Sequence, residues 1–187
     1  MVAQNTLSEQ VVAAWLLILS AIIFMGGGTL YAGRAILKWP AGQTHSYLIL
    51  ERGLVVAALL VAVIGFTLLN GMLQAAGDRI LAPAGMALLL IGAAVIVTAE
   101  TMFISRQDMV TAATVAFVVL AFLAEALFGA ALLRTGLLPA WIGWATILWN
   151  LGWLVVLPIA RPKDMYYPWL HYVAPLLIGI GLLAGRL

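Results

Sequence analysis

Polar residues along this chain fall in narrow clusters, and six long apolar stretches run between them. Their approximate bounds are 10–37, 51–76, 82–105, 109–133, 139–160 and 167–186. A helix needs about 20 mainly apolar residues to cross the hydrocarbon of a bilayer, and each stretch meets that length. Helix is the expected state, because unpaired backbone in lipid is too costly and no period-two alternation points to a barrel. The pattern predicts an all-α, polytopic membrane protein, a single domain over 1–187 built as a bundle of six transmembrane helices. The punctuation agrees. Pro40-Ala41-Gly42 ends the first helix, and Gly77-Asp78-Arg79 with Pro83 makes a tight turn. Ser105 to Asp108 makes another, with Asp108 placed to cap the fourth helix. Gly136 to Pro139 and Pro158 to Pro168 separate the later spans.

Composition narrows the picture. Only 9% of residues are charged and 65% are hydrophobic, so the spans leave no chain for a soluble domain with its own core. Cysteine is absent, which excludes disulfides, thiolate metal sites, iron–sulfur clusters and cysteine nucleophiles. The isoelectric point of 9.2 does not point to nucleic acid, because the basic residues sit singly at helix ends, where lipid headgroups are. Membrane lipids are the expected partners, with other membrane subunits or further copies of the chain as the protein partners. No Lys or Arg precedes the first apolar run and no small-residue cleavage motif follows it, so that run is expected to be a retained span.

Basic residues also set the expected orientation. Arg34, Lys38, Arg52, Arg106, Arg161 and Lys163 gather on one side, and Arg79, Arg134 and Arg186 on the other. The positive-inside rule puts the larger group in the cytoplasm of a cell membrane, with both termini outside. Tyr31, Trp39, Tyr47, Tyr166, Tyr167, Trp169 and Tyr172 are expected as interfacial anchors on the cytoplasmic side. Trp149 and Trp153 lie too deep for that role; four apart, they share a helix face, where packing is the first expectation.

The polar groups inside the spans are the functional candidates. An intramembrane carboxyl group is costly and faces the protein interior, pairs, or takes up a proton. Glu125 is the deepest, about 24 Å along its helix by residue count, far from any basic residue on that helix. Asn70 and Gln74 fall at a similar depth by the same count, and a Glu125–Asn70 hydrogen bond would latch two helices. Asn150, beside Trp149, completes this candidate intramembrane site. Glu100 lies nearer the cytoplasmic boundary with Arg106, Arg34 or His171 as partners, and Glu100, His171, Arg106, Arg161 and Lys163 form a candidate boundary cluster. No metal site or cofactor is expected. His45 and His171 do not make a haem pair, and HExxH, glycine-rich phosphate loops and GxSxG are all missing. Gly181 and Gly185 form a GxxxG pair suited to close packing against another helix or another copy.

The run Gly136-Leu137-Leu138-Pro139-Ala140-Trp141-Ile142-Gly143-Trp144 resembles an LLPxWxGW-type start of a late helix in small bacterial polytopic membrane proteins, families of unknown function with six or seven spans. The resemblance covers about the last third of the chain and implies a prokaryotic membrane, with no catalytic residues to carry over. Three functional classes fit these residues. One is a noncatalytic scaffold or accessory subunit, which the lack of any reactive constellation favours. Another is a small transporter or sensor with a protonatable site at Glu125. The last is a lipid-headgroup enzyme at the cytoplasmic boundary, and an enzyme is the least favoured because its groups are dispersed.

Overall fold

The computed structural model describes residues 2–106, 111–160 and 168–185. Helix α1 (Val2–Tyr31) continues into a π-helical turn, Ala32–Ile36. A 3₁₀ turn at Pro40–Gln43 leads to α2 (His45–Ala75), whose first turn is capped by Thr44 Oγ1 accepting from the Tyr47 N–H. Helix α2 thus starts six residues before the expected 51, which places Glu51 and Arg52 inside a helix rather than ahead of one. Next come α3 (Leu81–Arg106), α4 (Thr111–Thr135) and α5 (Ala140–Ala160), all close to the expected spans. The Asp108 cap lies outside the described residues.

Among the described residues, five helices are long and apolar enough to cross a membrane. The last expected span is broken. It consists of α6 (Pro168–His171) and α7 (Val173–Ala184), with Tyr172 between them. The cause is local: Pro175 has no N–H to give the carbonyl of His171, so the helical ladder cannot run through that point. In the first turn of α7 the same proline is harmless, because that turn needs no intrahelical donors.

Successive long helices pack on one another, and α7 closes the ring against α1 and α5. Helix α6 packs on α4. Gln10 Nε2 donates to the Leu182 carbonyl at 2.8 Å, so the early part of α1 and the end of α7 share one side of the bundle. Close approach is set by small residues. A Cβ on Gly129 would stand 2.9 Å from the Gly143 carbonyl, which brings α4 and α5 nearly into backbone contact. Phe66, Phe122 and Phe128 fill the centre, while Trp15, Met25 and Ile159 point outward. With an apolar exterior and five spanning helices, the fold is that of a multi-pass membrane protein.

Candidate functional site

The interior holds one closed acid–imidazole pair. Glu125 projects from α4, and His171 is the last residue of α6. His171 Nδ1 and Glu125 Oε1 are 2.9 Å apart and share a hydrogen bond, with Glu125 0% and His171 2% exposed. The pair carries no net charge whether it is carboxyl with imidazole or carboxylate with imidazolium, which is what allows it to be buried in an apolar bundle. Phe117 meets the imidazole edge-on and Tyr172 lies against its face, with ring centroids 5.2 and 4.1 Å away.

Asn150 on α5 is also 0% exposed. Its Nδ2 donates to the Thr146 carbonyl at 2.8 Å. Glu125 Oε2, Asn150 Oδ1 and His171 Nε2 are buried and have no hydrogen-bond partner among the described residues. Trp149 supports the site from behind, its Nε1 donating to the Leu170 carbonyl at 2.7 Å while its ring meets Trp153 edge-on. That bond ties α5 to α6, so Trp149 positions the helix that carries His171.

Glu125 therefore pairs with His171 and not with Asn70. Asn70 lies about two turns beyond Glu125, since Phe66 packs against Phe128 and sets the relative level of α2 and α4. Its Oδ1 is buried without a partner among the described residues, while Gln74 is exposed. His171 is likewise not at the boundary. The bonds to Glu125 and, through Leu170, to Trp149 put it level with the middle of α4 and α5. A count from an unbroken helix starting at 167 misses this. Tyr172, expected as an interfacial anchor, is buried and stacks on Phe24 with centroids 4.2 Å apart.

A second polar centre lies where α1, α2 and α3 meet. Glu51 on α2 is 0% exposed and accepts from Arg34 Nε at 2.7 Å and Arg34 Nη2 at 2.9 Å, a bidentate pair. Arg52 Nη2 stands 3.2 Å from the same carboxylate, and Arg52 Nη1 donates to both oxygens of Glu100 at 3.2 Å. The Arg52 guanidinium also covers the Phe103 ring at 4.5 Å. The result is a chain of alternating charges, Arg34–Glu51–Arg52–Glu100, with zero net charge. The π turn holds Arg34 in place: Leu37 N–H reaches the Ala32 carbonyl at 2.9 Å, and Tyr47 O–H donates to the Leu30 carbonyl at 2.9 Å.

Glu100 is thus tied to Arg52, and His171 belongs to the other centre. The side chain of Arg106, and Arg161 and Lys163 altogether, lie outside the described residues. Glu51 was not among the expected site residues, and Arg52 was expected only as one of the charges that set orientation. The available signal was an acidic–basic dipeptide next to an apolar run, facing Arg34 and Lys38 across a short loop. Of the glycine pair, Gly181 packs against Ile142 of α5 in the same chain, whereas Gly185 is exposed and meets nothing near beyond its own helix. Compared with protein-family models, curated proteins and solved structures, the chain matches none.

Proposed function

We propose that the chain is a noncatalytic membrane component, a scaffold or accessory subunit of a larger assembly. What supports this is the closure of both polar centres. Glu125 and His171 face each other and almost no solvent, and the four charges at the helix junction neutralise one another. A general acid or base must reach a substrate, and neither carboxylate of the ladder nor the buried pair is presented to one. The same closure disfavours the lipid-headgroup enzyme. The membrane is a bacterial cell membrane on this reading, with both termini outside; a reporter active only in the cytoplasm, fused after Leu187, stays silent.

The runner-up is a proton-linked transporter or sensor, favoured by the unpartnered Glu125 Oε2 and His171 Nε2 in the interior. Proteoliposomes loaded with a pH-sensitive dye separate the two. A scaffold gives no proton flux above that of empty vesicles under an imposed potential. A flux that Glu125→Gln abolishes would overturn the scaffold reading in favour of the runner-up.

A further inference from the structure

A groove of about 750 Å³ runs along the second half of α1, lined by Ala21, Phe24, Met25, Ala32, Ile36 and Tyr172 among others. From Ala21 to Ile36 it extends roughly 22 Å at helical rise. One leaflet of the hydrocarbon is about 15 Å deep. The groove is therefore longer than one leaflet, and counted back from the boundary marked by Lys38, Trp39 and Pro40 it passes the middle of the bilayer. Its size selects the occupant. Clefts that hold small, mostly apolar ligands have volumes of about 300–1,000 Å³, and this one falls within that range.

Charge at the boundary end selects the headgroup. Arg34, Glu51, Arg52 and Glu100 are committed to one another. Lys38, two residues past the groove's end, is exposed and forms no ion pair among the described residues. It is held in a left-handed conformation, φ 50°, by the chain reversal after the π turn. We propose that the groove binds one acyl chain of an anionic glycerophospholipid, with the headgroup phosphate at Lys38. The inference rests on the membrane placement of the helices and stands whether or not the chain proves to be a scaffold.

The test is native mass spectrometry of the full chain from detergent micelles doped with equal phosphatidylglycerol and phosphatidylcholine. One phosphatidylglycerol per chain should survive activation that strips phosphatidylcholine, with a preference of about fivefold, equivalent to roughly 1 kcal/mol. Ala32→Phe, which fills the groove, should remove the retained lipid. Lys38→Glu should keep a single bound lipid and lose the preference for phosphatidylglycerol. Where Ala32→Phe fails to elute as a folded species, Ala35→Trp at the exposed rim takes its place. Retention unchanged in the filled variant, a broad unsaturable series of adducts in the wild type, or a self-crosslink through Met25→Cys in liposomes would each overturn the proposal.

Discussion

Removing His171 alone should cost as much stability as removing His171 and Glu125 together. In the native chain the two groups share one hydrogen bond of 2.9 Å, and neither is open to water. His171→Leu leaves both oxygens of Glu125 without that partner; Glu125→Leu leaves both imidazole nitrogens unpaired, because Nε2 has none to begin with. A buried polar group left unsatisfied costs about 1–3 kcal/mol. Interhelical hydrogen bonds in membrane proteins are smaller on average, about 0.6 kcal/mol, with a maximum near 1.7. This bond is short and fully enclosed, so the upper part of that range applies. Each single variant is expected to lose about 1.5 kcal/mol, and the double variant about 1.5 rather than 3, because all three variants lose the same one hydrogen bond. The measurement is reversible unfolding by dodecyl sulfate in mixed dodecylmaltoside micelles, followed by tryptophan fluorescence. Additive losses, with a coupling below about 0.5 kcal/mol, would refute the latch.

Three further outcomes follow from the same geometry. Glu51→Ala removes the bidentate partner of the part-buried Arg34 and one of the two carboxylate partners of Arg52, and should cost about 2–4 kcal/mol in the same assay, with Glu51→Ala/Arg34→Leu recovering part of it. Asp78→Ala removes the cap of α3, whose Ala82 N–H donates to Asp78 Oδ2 at 2.7 Å, and should lower stability by about 1–2 kcal/mol. Gly181→Leu should destabilise the monomer by more than about 2 kcal/mol through overpacking against Ile142, while Gly185→Leu should change it by less than about 0.5; equal effects would contradict the packing of α7 on α5.

The spans were legible because the cost of exposing backbone to lipid leaves a local signature, an apolar run of fixed minimum length. Five of the expected runs became long helices with bounds shifted by a few residues, the starts of α1 and α2 excepted, which lie eight and six residues earlier than expected. Partner identity was not legible. Glu51 meets a residue 17 positions away, Glu100 one 48 away and Glu125 one 46 away. Those separations are decided by which helices touch, and hydropathy carries no information about that. Depth counts failed for a related reason. Counting at 1.5 Å per residue assumes an unbroken helix and a known starting level, and both assumptions hold for Glu125 but fail for His171. Pro175 was visible in the sequence, and its missing N–H was the one signal that would have placed the break.

The two features of the molecule without an evident structural need lie side by side. Adjacent residues of a helix diverge by about 100°, so two neighbours can meet different partners. At the α6–α7 junction His171 enters the α4 interface while Tyr172 lies against Phe24 of α1 and lines the groove. The imidazole and the phenol ring are in contact at 4.1 Å. A displacement of Tyr172 from the groove side is therefore expected to reach the His171–Glu125 bond through this contact. The coupling needs no long pathway through the protein. It requires only that one peptide unit join a closed polar pair to an open apolar surface, as the His171–Tyr172 step does.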